Sequence, residues 1–134
     1  MLSNAKIKDI AHRVGFDLCG IARCQEFASE REFLEQWIER GFSSTLGYME
    51  RNIDKRANAK LLVDGAKSVI VCGVAYKNEF SNGYSDDCRQ KIASYALCKD
   101  YHTTIKQMLR QLCNTLKEDE PTLSGRVFAD SAPV

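Results

Sequence analysis

The sequence predicts a mixed fold, α/β or α+β, with helices packed as layers on a sheet. Three observations carry this. Apolar residues recur at helical spacing in three segments. Apolar runs of strand length lie between them. The two kinds of segment alternate along the 134 residues, a length that fits one domain.

The first helix is read from Ile7, Ile10, Ala11 and Val14, with Gly15 placed to end it. "FDLCGIA" (16–22) follows as a short buried strand. "SEREFLEQWIERG" reads as a second helix, with Ser29 as its cap, Glu32 at the capping-box position and Gly41 as its stop. Phe33, Leu34, Trp37 and Ile38 form its apolar stripe. Residues 46–55, rich in charge, allow another short helix. "KSVIVCGVAY" (67–76) is the best strand, and its near-continuous apolar character suits a central strand covered on both faces.

Residues 77–90, "KNEFSNGYSDDCRQ", are loop by composition. "KIASYAL" (91–97) predicts a strand. From Asp100 onward, Ile105, Met108, Leu109, Leu112 and Leu116 mark a strongly amphipathic helix. A last strand is expected over 126–129. There is no internal repeat.

Hydrophobic residues make up 44% and charged residues 28%, ordinary values for a water-exposed globular chain. A formal net charge of +1 gives no support to a nucleic-acid or membrane-surface binder, though an average can hide a patch. No apolar run reaches membrane-spanning length, and the N-terminus reads as a periodic helix, not a signal peptide. Cysteines stand at 19, 24, 72, 88, 98 and 113 without a C-x-x-C, so local spacing builds neither a zinc knuckle nor a ferredoxin-type cluster. They are read as reduced thiols of a cytoplasmic protein, with disulfides the minor alternative.

The densest polar cluster at an element boundary is "YALCKDYHTTIK". Asp100 fits a helix N-cap, with Tyr101 and His102 in the first turn. Capping alone explains the aspartate and carries more weight from pattern alone, but a cap needs neither a phenol nor an imidazole beside it. The functional alternative is a ligand site at the end of a strand. Asp130, ahead of Ser131, Ala132 and Pro133, has the same two readings: a turn residue, or a partly desolvated acid able to give a proton. The turn reading wins when Asp130 is taken alone. Cys98 near a helix N-terminus is either a reactive thiol or a packed one, with packing favoured. His12 reads as solvated. Arg51, Lys55 and Arg56 form a basic edge that suits phosphate or simply solvent. Dinucleotide, P-loop, zinc-protease and serine-hydrolase motifs are missing. The residues themselves therefore lead to a mixed domain with a candidate site at 95–102 and 130.

Three stretches carry a resemblance: "LGYMERNIDKRANAKLLVDGAKSVIVCGVAY", "IASYALCKDYHTTIKQML" and "GRVFADSAPV". Together they resemble the N-terminal domain of the epoxyqueuosine reductases, over nearly the whole chain. The Asp-Tyr-His and Asp-Ser-Ala-Pro-Val motifs are the specific part.

That resemblance implies a nitroreductase-like, cobalamin-binding domain with a central sheet flanked by helices, spanning 1–134 and incomplete at its C-terminus. It implies a downstream ferredoxin-like domain, outside this chain, whose 4Fe-4S clusters feed electrons to the cobalt. The implied reaction removes the epoxide oxygen of epoxyqueuosine at the wobble position of a tRNA anticodon. Asp130 matches the proton donor. Tyr95, Asp100, Tyr101 and His102 match the motif that shapes the corrin and substrate pocket. Cys98 stands where the family has glycine, so a side chain there crowds the backbone or approaches the cofactor. The implied partners are the tRNA and an electron donor, for a cytoplasmic monomer in which the fragment alone does not turn over. Open alternatives are another corrinoid reductase such as a reductive dehalogenase, a flavin reductase of nitroreductase type, and a non-catalytic binding domain.

Overall fold

A computed structural model of the chain describes residues 2–76, 92–97 and 99–130. The elements in order are α1 (Asn4–Val14), β1 (Leu18–Arg23), α2 (Ala28–Glu39), α3 (Ile53–Ala57), β2 (Ser68–Gly73) and α4 (Tyr101–Asp119). Short 3₁₀ turns at Ala59–Leu61 and Ser94–Leu97 complete them. The architecture is α+β. β1 and β2 pair antiparallel, with Asp17 N–H donating to Gly73 O at 3.0 Å and Cys24 N–H donating to Lys67 O at 2.9 Å.

The chain divides into two compact units, Met1–Gly20 with Val71–Asp130, and a second built on Ile21–Ile70. In the first, α1 packs on α4. Ser3 caps α1 by accepting from Lys6 N–H at 3.2 Å. Gly15 ends it at φ 110°, a left-handed conformation that lets two N–H···O bonds close the last turn. The periodic residues then form the core: Ile7, Ile10 and Ala11 of α1 are buried, as are Leu112 and Leu116 of α4 and Phe16 in the turn after α1. At the opposite end of this helix pair Lys6 Nζ meets Asp119 Oδ1 at 2.7 Å.

In the second unit α2 packs on α3. α2 begins earlier than the capping pattern predicts. Phe27 N–H is bonded to Ala57 O at 2.9 Å, and Glu26 and Asn58 form an antiparallel bridge, so tertiary pairing fixes where the helix starts. Ser29 is consequently inside the helix and donates to Glu30 Oε2 at 2.9 Å, while Glu32 Oε1 accepts from Gln36. Gly41, at φ 74°, does end the helix, donating to Ile38 O at 2.8 Å. Leu34, Trp37 and Ile38 are half-buried, but Phe33 is 70% exposed. The helix allowed over 46–55 is present only as Ile53–Ala57, since Asn52 enters a left-handed conformation at φ 59° just before it.

Four strand expectations are corrected. Among the described residues β1 pairs with β2, and the strand expected to be buried over 16–22 leaves Leu18 72% exposed. Val71 in β2 is 62% exposed, so the apolar run is not covered on both faces. "KIASYAL" turns into the 3₁₀ segment Ser94–Leu97, with Ala96 N–H bonded to Ala93 O at 2.8 Å. Small residues permit that tight turn, and a strand needs a neighbour to satisfy its ladder. Residues 126–129 run without ladder pairing for the same reason, although Ala129 is buried. The loop expected over 77–90 lies outside the described residues.

Candidate functional site

The N-terminus of α4 organises the candidate site. Asp100, just outside the helix, accepts from His102 N–H at 3.0 Å through Oδ1, the capping bond that its position predicts. The same oxygen lies 2.9 Å from His102 Nδ1, so one carboxylate fixes both the backbone and the imidazole. These hydrogen bonds from His102, side chain first and then backbone, hold the Asp100 carboxyl below its ordinary range.

Asp130 arrives from a residue 29 positions away to meet this helix start. Tyr101 Oη donates to Asp130 Oδ2 at 2.5 Å, and His102 Nε2 lies 3.9 Å from that oxygen. Asp130 sits at φ 55°, left-handed backbone that aspartate tolerates better than most residues. The preceding Ala129 is buried and anchors the segment, whereas the Asp130 side chain is 68% exposed. The Asp130 carboxylate is therefore solvent-facing here. The bond to Asp130, reinforced by desolvation, pushes the Tyr101 phenol above its ordinary value.

Aromatic rings extend the site. Tyr101 stacks on His102 with centroids 4.1 Å apart and planes 24° from parallel. Tyr95 meets Tyr101 edge to face at 6.4 Å, and Tyr76 meets Tyr95 in the same way at 6.4 Å. Tyr76 and Tyr95 are 64% and 54% exposed. Of the residues singled out from the sequence, Tyr95, Asp100, Tyr101, His102 and Asp130 are thus brought together. Cys98 lies outside the described residues. Sequence reasoning missed Tyr76, whose signal was its place as the last residue of the best strand expected from the sequence.

The other candidates have structural partners. His12 Nδ1 bonds to Phe16 O at 2.8 Å, closing the turn after α1. Arg56 donates to the carbonyls of Tyr48 and Arg51 and lies 6.0 Å over the Tyr48 ring, so its guanidinium holds a loop together. A hollow of ≈ 360 Å³ beside α2 and α3, lined by Phe27, Leu34, Ile53, Arg56 and Ala57, contains none of Tyr95, Asp100, Tyr101, His102 and Asp130. Cys19, Cys24, Cys72 and Cys113 are free thiols. Burial, with Cys19 alongside, pushes the Cys72 thiol up to about 12, which makes it unreactive.

The family described as epoxyqueuosine reductase QueG, DUF1730, matches residues 56–131, more than half of the chain, with Asp100, Tyr101, His102 and Asp130 inside the match. The chain belongs to that epoxyqueuosine reductase family. An epoxyqueuosine reductase of Cyclobacterium marinum is 39% identical over 130 residues, covering 96% of this chain and 41% of the relative. One from Cellulophaga algicola is 41% identical over 128 residues, again covering 96% of this chain and 41% of the relative. The chain thus spans about two-fifths of the length of these curated relatives. The solved structure of epoxyqueuosine reductase from Streptococcus thermophilus superposes with a TM-score of 0.76 at 24% identity, over 91% of this chain and 33% of that one. At that identity the likeness establishes the shared fold. No helix among the described residues is long and apolar enough to cross a membrane.

Proposed function

We propose that this chain is the N-terminal, cofactor- and substrate-binding part of an iron–sulfur, cobalamin-dependent oxidoreductase that reduces epoxyqueuosine to queuosine in tRNA. The observation that carries the proposal is the Tyr101–Asp130 hydrogen bond, which joins the family's two polar motifs into one cluster. The net change converts an epoxide, two electrons and two protons into an alkene and water. Asp130 is the residue in this chain that hands a proton to the departing oxygen. Its exposure suits a reactant that arrives from outside and then covers the acid.

The residues present fit a corrin in their chemistry. A corrin offers a broad apolar face and a rim of amide side chains. Exposed Tyr76 and Tyr95 supply aromatic surface, and Asp100, Tyr101 and His102 supply donors and acceptors at one helix start. When bound, cobalamin supplies the low-potential electron chemistry that no side chain can. The nitroreductase-like description of the fold belongs to this proposal, as do a cytoplasmic location, a monomeric state and an outside electron donor. On this reading the 4Fe-4S clusters sit in the part of the relatives' length that the chain does not span.

The reading is tested with a polypeptide of the relatives' full length carrying this region. It is expected to convert epoxyqueuosine in tRNA when given cobalamin and a low-potential reductant. Asp130→Ala should lower that turnover by about 10²–10⁴-fold while the visible spectrum of bound cobalamin is kept. Near-normal turnover in Asp130→Ala would remove the residue from the mechanism, and a spectrum unaffected by the unaltered protein would remove the cofactor.

A further inference from the structure

The arrangement around Asp130 raises a question that the proton-donor role leaves open. Asp130 Oδ2 is the acceptor of a short bond from Tyr101. A carboxylate held in this way must receive a proton before it can donate one. Tyr101 is a poor source, because the bond to Asp130 favours its neutral, protonated form. The other acidic hydrogen facing the same oxygen, among the described residues, belongs to His102 when its ring is protonated, with Nε2 at 3.9 Å.

We propose that His102 is the relay that returns a proton to Asp130, with Asp100 fixing the imidazole and Tyr101 fixing the carboxylate. This rests on the reading of Asp130 as the acid. In the step, the Nε2–H bond of the imidazolium breaks and a bond from that proton to Asp130 Oδ2 forms. The imidazolium becomes neutral imidazole and the carboxylate becomes carboxylic acid. The imidazole then takes its next proton from water, so the step needs no oxidant or reductant.

Each part of the geometry has a matching role. Asp100 Oδ1 at 2.9 Å engages Nδ1 and leaves Nε2 directed toward Asp130. Stacking on Tyr101 at 4.1 Å holds the ring plane. The 3.9 Å gap is closed by rotation of the exposed Asp130 side chain or by one bridging water. Among the described residues, the charged and titratable groups around the imidazole are Asp100, Tyr101 and Asp130, with Lys106 acting on Asp100 from the next turn of α4 and Tyr95 at the edge of Tyr101. His102 is a positioning and relay residue: it reaches the reacting oxygen only through Asp130. With its side chain 39% exposed and its Nδ1 tied to the more exposed Asp100, it keeps a path to water while substrate covers Asp130.

The first test needs no activity. In this chain labelled with ¹⁵N-histidine, Asp130→Asn should move the His102 Nε2 resonance at neutral pH, and Asp100→Asn should move Nδ1. An Nε2 resonance identical in the unaltered chain and in Asp130→Asn would overturn the relay. The second test uses the full-length polypeptide. His102→Ala and His102→Gln should each lower kcat by about tenfold to a hundredfold with KM for the tRNA unchanged. Added imidazole should restore His102→Ala in proportion to its concentration, and should restore nothing in Asp130→Ala. His102 variants that keep their kcat, or lose it without rescue, overturn the relay alone. Absence of reduction by the unaltered polypeptide overturns the reductase reading, and the relay with it.

Discussion

At the residue scale, Asp100 carries two jobs on one oxygen. It caps α4 through His102 N–H and orients the His102 ring through Nδ1. The two readings of the sequence, cap and site residue, are therefore compatible. Because these bonds hold the Asp100 carboxyl below its unfolded value, the stability it lends is fully present above the ordinary carboxylate range, near pH 3.9. It is lost as pH falls through the lower folded value. The protection of the His102 amide against exchange, taken relative to its intrinsic rate, should fall in that acid window, and Asp100→Ala should show the lowered protection already at neutral pH. Equal protection in the variant and the unaltered chain at neutral pH would mean that the cap contributes nothing. Asp130, in contrast, could not be assigned from its own neighbours in sequence. Its meaning comes from Tyr101, 29 residues away.

At the scale of elements, α1 and α4 were legible because their signals are local and mutually consistent. Ser3 at the cap, apolar residues at helical spacing and Gly15 at the stop all point to the same boundaries. Gly15 is the position where substitution is most informative, since its φ of 110° disfavours any side chain and a Cβ there would stand 3.4 Å from Met108 Cε. Gly15→Ala is expected to destabilise the chain by about 1–2 kcal/mol in urea unfolding, the penalty of left-handed backbone for an L-residue. A loss of less than a few tenths would show that the turn relaxes. The strands were less legible. An apolar run declares burial, but whether it becomes a ladder depends on a neighbour elsewhere in the chain. Residues 91–97 and 126–129 have strand composition, yet Ser94–Leu97 forms a 3₁₀ turn and 126–129 is not in a strand.

At the scale of the whole molecule, large apolar side chains stay open to solvent: Leu18, Phe33, Val71 and Tyr76 are each more than 60% exposed. Among the described residues the buried core is short by comparison, with Phe16 and Ile10 its largest fully buried members. Exposed apolar surface of this kind binds hydrophobic dyes and promotes association. The 134-residue chain should therefore enhance anilinonaphthalene sulfonate emission and show a scattering mass that rises with concentration. A strictly monomeric chain without dye binding would show that these side chains find cover in solution. A longer polypeptide that covers them should lose both signals.

By itself the sequence determined the mixed class, the two helices that pack together, the N-cap at Asp100 and, through two short motifs, the family. These are matters of local spacing and residue type, which the chain states directly. The tertiary structure decided the start of α2, the fate of the strand-like runs and the meeting of Asp130 with Tyr101 and His102. Each of these depends on a partner distant in sequence: a carbonyl for Phe27, a neighbouring strand for an apolar run, a phenol for a carboxylate. Local pattern can name a candidate acid, but only the fold brings a proton donor to its side.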